Sequence, residues 1–102
     1  MCVTVVRFTP IEKRTVEQYA ALLRQVMPVF ANAAGLKRKY FIKTEQGSAG
    51  IYEWESEQHA RDFYNDAWRA QMEELAGDSL TLEYTQINAI LDNVSGSVDY
   101  RI

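Results

Sequence analysis

His59 is the only imidazole in the chain, and imidazole is the one side chain whose ordinary titration falls near neutral pH. It is therefore the first candidate for a general base or a haem ligand. It stands three residues after Ser56, in what reads as the first turn of a helix, where a solvated side chain without catalytic duty fits equally well. Tyr40, Tyr52 and Trp54 fall on two neighbouring extended runs and would make a wall for a flat substrate. Each of the three carries a polar tip that needs a partner once buried, and ordinary core packing would use them in the same way. Phe63 and Trp68 lie on the apolar stripe of the next helical segment and would close such a pocket from the helix side. Asn65, beside that stripe, offers an amide to a substrate carbonyl, while the pair Asn65-Asp66 is also one that breaks a helix. Arg69 and Arg7 carry planar forks able to hold an anionic oxygen, or stand as surface charges. Glu53 would gain basicity if it faced an apolar interior and would otherwise join a rim ion pair. Cys2, at a strand edge, reads as an inert thiol.

The elements that must position these residues follow from periodicity. Residues 2–8 hold Val3, Val5 and Val6 and read as a strand, ended by Thr9-Pro10 because proline removes a ladder donor. Thr15 with Gln18 three residues on is a capping box, and Val16, Tyr19, Ala20, Leu22, Leu23, Val26 and Met27 then recur at helical spacing. Pro28 predicts a kink or stop, with a last turn through Phe30 before Gly35. Residues 36–44 and 50–56 are two extended runs joined by a loop of hairpin length. Ser56 caps a second helix whose stripe runs from Ala60 to Leu75 and stops at Gly77. Residues 80–91 alternate as one long strand, and residues 94–102, after a cluster of turn residues, read as an arm or a short added strand beyond a domain spanning 1–93.

That β-α-β-β-α-β order predicts an α+β, ferredoxin-like fold: an antiparallel sheet with two helices on one face. The 102 residues suffice for one domain of this kind, with 47% hydrophobic and 25% charged residues in the range of a globular chain. A net charge of −3 argues against a protein devoted to nucleic acid. One Cys and one His are too few for an internal disulfide or a structural zinc site. No stretch approaches the roughly 20 apolar residues of a membrane span, and the expected location is the cytoplasm, with no membrane partner.

A hairpin centred near Gly47 would pair Ile42 with Tyr52 and Tyr40 with Trp54 on a helix-facing surface. Phe41, Ile51, Lys39, Glu53 and Glu55 would then lie on the bare surface. A sheet face carrying Phe41 and Ile51 is too apolar for open water, so the sequence predicts a homodimer packed sheet to sheet, with Lys39 and Glu55 paired at the rim.

The strings Gly35-Leu36-Lys37-Arg38-Lys39-Tyr40-Phe41 and Ala49-Gly50-Ile51-Tyr52-Glu53-Trp54-Glu55-Ser56, followed by Phe63-Tyr64 and Trp68-Arg69, resemble the YdhR-like monooxygenase family of the dimeric α+β barrel superfamily. The resemblance covers over half the chain and is strongest around GIYEWES. It implies a two-chain barrel with a pocket in each subunit between sheet and helices. It also implies a cofactor-independent monooxygenase acting on a small aromatic molecule of phenol or quinol type, without metal or flavin. An ionised phenolic substrate reduces dioxygen itself, and the protein need only exclude water, orient the ring and help move a proton. By residue type, the resemblance offers Asn65 and Trp68 as catalytic candidates and Tyr40, Tyr52, Trp54 and Arg69 as substrate-binding ones; the residues themselves add His59 to the first set and Phe63 to the second. Two other readings stand beside it: a non-catalytic small-molecule-binding or stress-associated barrel, and a haem-binding oxygenase. The latter would want a histidine between Trp68 and Leu75, where there is none.

Overall fold

The computed structural model describes all 102 residues. The chain runs β1 (Cys2–Phe8), α1 (Val16–Ala31), β2 (Leu36–Thr44), β3 (Gly47–Trp54), α2 (Glu57–Phe63), α3 (Asp66–Ala76), a 3-10 turn at Gly77–Ser79, β4 (Thr81–Gln86), β5 (Ala89–Asp92) and β6 (Ser97–Tyr100). Strands β2-β3-β1-β4 form one sheet in that order, each antiparallel to its neighbours, while β5 and β6 make a separate hairpin. Each helical connection thus skips one strand, α1 passing over β3 and the α2–α3 segment over β1. This is the expected ferredoxin-like α+β arrangement. No helix is long and apolar enough to cross a membrane.

Local chemistry accounts for the helix limits. Thr15 and Gln18 form the capping box, with Gln18 N–H donating to Thr15 Oγ1 at 3.1 Å and Thr15 N–H to Gln18 Oε1 at 2.9 Å. Pro28 sits inside α1 near its end, where only one donor is lost, and the helix closes a turn later at Ala31. The expected single second helix is instead two. Tyr64 leaves helical geometry, and Asn65 Oδ1 accepts from Trp68 N–H at 2.9 Å, capping a new helix. An asparagine that satisfies a first-turn donor makes that restart favourable by about 1 kcal/mol.

The core lies on the helix-facing side of the sheet. Cys2, Thr4 and Val6 from β1 and Tyr52 and Trp54 from β3 are buried there with Ala60 and Tyr64. Burial raises the Cys2 thiol above its ordinary value, which suits an inert packing residue.

The β2–β3 register corrects the sequence reading. The turn is only Glu45-Gln46, and the strands pair Lys39 with Tyr52, Tyr40 with Ile51, Phe41 with Gly50 and Ile42 with Ala49. Gly47 pins the turn against β1: a Cβ on it would lie 2.6 Å from the Phe8 carbonyl oxygen. Relative to the expected pairing this is a shift of three residues, and an odd shift inverts the faces. Phe41 and Lys39 therefore point toward the helices, while Tyr40, 53% exposed, lies on the bare face with Ile51. Lys39 makes no rim pair with Glu55. Leu36 still reaches the core beside Trp54, because a bulge between Leu36 and Arg38 restores its parity.

The single strand expected over residues 80–91 is also divided, at Ile87-Asn88. Tyr84, from its first half, faces the helices and meets Tyr64 edge-on. The β5–β6 hairpin that follows carries Leu91 at 67% and Tyr100 at 77% exposure.

Candidate functional site

A cleft of about 800 Å³ separates α1 from the helix-facing side of the sheet. Residue size explains it. Over the cleft, β3 contributes Ser48 and Gly50 where a packed sheet would carry large side chains, and α1 has no fully buried residue. Tyr19, Leu22, Leu23, Val26 and Phe30 line it from α1, and Trp68, Met72 and Leu75 from α3. Val6, Phe8, Phe41 and Tyr52 form the floor. The Tyr52 ring meets Phe30 edge-on at 6.0 Å between centroids, and Phe30 meets Phe41 in the same way at 5.5 Å. These are favourable quadrupole geometries that fix the floor.

Within this apolar surface stands Lys39. Its Nζ lies 3.4 Å from the Phe30 ring centroid, 3.9 Å from Phe41 and 4.3 Å from Tyr52. The ion pairs of the chain are Arg61–Glu57 and Arg101–Asp99, so Lys39 has no carboxylate partner. Loss of hydration lowers its pKa to about 7, although three ring faces return part of the lost solvation to the cation. Burial pushes the Tyr52 phenol the other way, above its ordinary value, so that phenol stays neutral.

One end of the gap is closed by a polar cluster. Trp54 Nε1–H donates to Thr4 Oγ1 at 3.0 Å, and Thr4 Oγ1 lies 2.7 Å from the Tyr64 hydroxyl. Trp54 stacks parallel to Tyr52 at 5.9 Å, and Phe63 packs against both rings. In this cluster no fully buried side-chain polar atom lacks a partner.

Of the residues nominated from sequence, the structure brings Tyr52 and Trp68 to the cleft, with Phe63 and fully buried Trp54 behind them. Tyr40 is on the other side of the sheet. Asn65 is exposed and its carbonyl oxygen is engaged in the cap of α3, which leaves its NH2 group free. Arg69 is exposed and lines a separate shallow depression with Glu73 and Asp78. His59 N–H donates to Ser56 Oγ at 3.2 Å, and its Nδ1 lies 2.7 Å from the same oxygen. Its ring packs so closely on Gly35, at φ 77°, that a Cβ there would overlap it. His59 thus joins the loop before β2 to the start of α2, away from the cleft. No group of three or more His, Cys, Asp or Glu side chains converges as a metal site would require.

The residues that sequence reasoning placed elsewhere are Lys39 and Phe41. The available signal was the lysine spacing itself: Lys37, Lys39 and Lys43 share β2 with Phe41, and long stems of this kind cover apolar surface at the edge of a cleft.

The same architecture occurs in solved oxygenases. SnoaB, a cofactor-independent oxygenase from Streptomyces nogalater, superposes with a TM-score of 0.63 at 14% identity, over 88% of this chain and 95% of that one. The monooxygenase from the ActVA-Orf6 gene of Streptomyces coelicolor, solved with nanaomycin D, gives 0.56 at 23% identity over 90% and 92%. The chain shares its ferredoxin-like α+β fold with these two proteins. Rv0793 from Mycobacterium tuberculosis has the same architecture, at a TM-score of 0.59 and 16% identity over 84% of this chain and 93% of that one. Neither a protein-family description nor a curated protein matches the sequence.

Proposed function

We propose that the chain is a cofactor-independent monooxygenase of the YdhR-like kind, acting in the cytoplasm on a small phenol- or quinol-type aromatic held in the cleft. The observation that carries this reading is the cleft itself, about 800 Å³ and walled by aliphatic and aromatic side chains on a fold shared with SnoaB and the ActVA-Orf6 enzyme. In the reaction, the substrate loses one phenolic O–H hydrogen and one ring C–H hydrogen. The ring carbon gains one oxygen atom of O2, and the other leaves as water with those two hydrogens. All four electrons come from the substrate, so no external reductant enters. Tyr52 and Trp68 contact the ring, and Phe63 and Trp54 hold Tyr52 in place.

Oxygen uptake with a panel of naphthols and hydroquinones tests this. Turnover is expected in the wild type, with at least a tenfold loss in kcat/KM for Trp68→Ala, about 1.4 kcal/mol of transition-state stabilisation. Tight binding of the panel without oxygen uptake would favour the non-catalytic binding protein instead. The haem reading lacks support from the geometry, since the only imidazole is engaged by Ser56 outside the cleft.

The enzyme is proposed to work as a homodimer closed through the bare sheet face. There Val3, Val5, Ile42, Ile51 and Tyr40 form an apolar field across β1, β3 and β2, with Arg7, Arg38, Glu53 and Glu83 around it. Both signs at the rim suit a two-fold contact, in which each patch meets its own copy. Sedimentation is expected to show a dimer at micromolar concentration that Ile51→Glu converts to monomer. A wild-type monomer would remove the reading.

A further inference from the structure

Lys39 is a basic group in a place where nothing in the protein answers it. Its Nζ lies within 4.3 Å of three aromatic ring centroids, and it forms neither an ion pair nor a side-chain hydrogen bond. Unpaired lysines normally send their heads to water along the shortest path. This one stands on a strand whose neighbouring side chains, Tyr40 and Arg38, are exposed, yet its own side chain is turned into the cleft. We propose that Lys39 is the group that accepts the proton of a phenolic or enolic O–H on the bound aromatic and then serves as the counter-ion of the resulting anion.

The step is a simple transfer. The O–H bond of the substrate breaks, its electron pair stays on oxygen, and the proton joins the lone pair of Nζ. A neutral pair becomes an ammonium–phenolate pair with no change in total charge. With its pKa held near 7 by burial, a substantial share of the amine is free to accept at neutral pH. An ordinary solvated lysine would be almost wholly protonated there. Once formed, the two charges attract strongly because the apolar walls screen them poorly. The phenolate is the form that gives up electrons to dioxygen, so the same residue would ready the substrate for the proposed oxidation. Other titratable groups that face the cleft are Tyr19 on α1, Glu12, Lys13 and Arg14 before it, Lys43 and Glu45 at the β2 end, and Tyr52 on β3. The charged members of that set are exposed, and Tyr52 stays neutral, so none replaces Lys39 at the floor.

This inference rests on the cleft taking an aromatic ligand, but its test does not depend on turnover. The probe is 2-naphthol, whose naphtholate absorbs at longer wavelength than the neutral form. At pH 7.5 the ionised fraction of bound probe is expected to exceed that of free probe at least tenfold, one pH unit of apparent acidity. Lys39→Met, of similar length and without the amine, is expected to bind the probe in its neutral form, with circular dichroism showing an intact fold. Equal ionised fractions in both proteins, or no binding by folded wild type, would overturn the role. The outcomes also separate the two claims. Ionisation by wild type without oxygen uptake with any substrate keeps Lys39 as the acceptor and removes the oxygenase. Oxygen uptake unchanged in Lys39→Met keeps the oxygenase and removes Lys39 as the acceptor.

Discussion

The two ends of the gap between sheet and helices are built from similar residue types and behave in opposite ways. At the β3 C-terminal end, Trp54 has no exposed surface, its indole N–H is bonded to Thr4, and Phe63 and Tyr64 close over it at ring distances of 5.3 and 5.8 Å. Toward the β3 N-terminus, Gly50 and Ser48 replace large side chains, α1 stands off the floor, and a lysine occupies the remaining surface without a partner. The contrast shows where the fold places its stability and where it leaves space for a ligand. Aromatic content does not distinguish the ends, since Phe30, Phe41 and Tyr52 line the open one. What distinguishes them is whether each polar tip is satisfied from within the chain.

The largest expected effect tests the closed end. Trp54→Ala removes a fully buried indole and leaves the Thr4 hydroxyl short of a donor, so a loss of about 3–5 kcal/mol in unfolding free energy is expected. Val26→Ala, on the side of α1 that lines the cleft, should lose only about 1 kcal/mol because part of that side chain already borders open space. Urea denaturation of the two variants measures both. Equal losses would mean that α1 packs as tightly as the far end and that the cleft closes in solution.

A smaller effect, of the opposite sign, comes from the open end. The folded state holds Lys39 with a pKa of about 7, whereas the unfolded chain holds it near the ordinary ~10.4. Between those values the unfolded state binds more protons, so the contribution of this group to stability becomes more favourable as pH rises from 7 toward 10. Below pH 7 the charged amine must sit in apolar surroundings in the folded protein, and its penalty is at its full value. Lys39→Met is therefore expected to stabilise the chain by on the order of 1–2 kcal/mol at pH 6, after allowance for solvent screening, with the gain vanishing above pH ~10. Thermal melts of both proteins across that range measure the difference. A pH-independent gap would mean that Lys39 titrates as a solvated lysine.

Most of this architecture is legible in the residue pattern, because burial on one face imposes periodicities that survive local ambiguity. The Thr15 and Ser56 caps, the Pro28 position near a helix end and the β-α-β-β-α-β order all follow from it. The floor of the cleft was not legible, for a definite physical reason. Glu45-Gln46 carries no Asn-Gly or Asp-Gly signature to mark a two-residue turn, so the hairpin could be centred elsewhere and its faces exchanged. On hydrophobicity alone, Leu36, Tyr40 and Ile42 look more like the inner face of β2 than Lys39, Phe41 and Lys43. The bulge after Leu36 then makes both descriptions partly true, with Leu36 inside and Tyr40 and Ile42 outside. Asn65 shows the same limit at the scale of one turn. The pair Asn65-Asp66 was readable either as a site amide or as a helix break, and the hydrogen bond from Trp68 N–H shows that the break is real.

The smallest expected change in stability is also the most specific for the open end. Gly50 lies opposite Phe41 in the β2–β3 ladder, and a Cβ added there would stand 2.8 Å from Tyr52 Cε1 and 3.3 Å from Lys39 Cε. The flexible Lys39 stem can move aside, whereas the Tyr52 ring, packed against Phe30, Trp54 and Phe63, must shift against its neighbours; the backbone of an extended strand accepts alanine readily. Gly50→Ala should therefore lower the unfolding free energy by about 1 kcal/mol, the gain from losing a flexible glycine offsetting only part of the crowding. The displaced groups are Tyr52 and Lys39, so affinity for 2-naphthol is expected to fall by about tenfold, or roughly 1.4 kcal/mol, while the melting temperature falls only modestly. Calorimetric titration of the variant reads the first quantity, and a thermal melt reads the second. Unchanged affinity would place the ligand away from Tyr52 and Lys39, whereas a large drop in stability would show that Gly50 belongs to the packed half of the molecule.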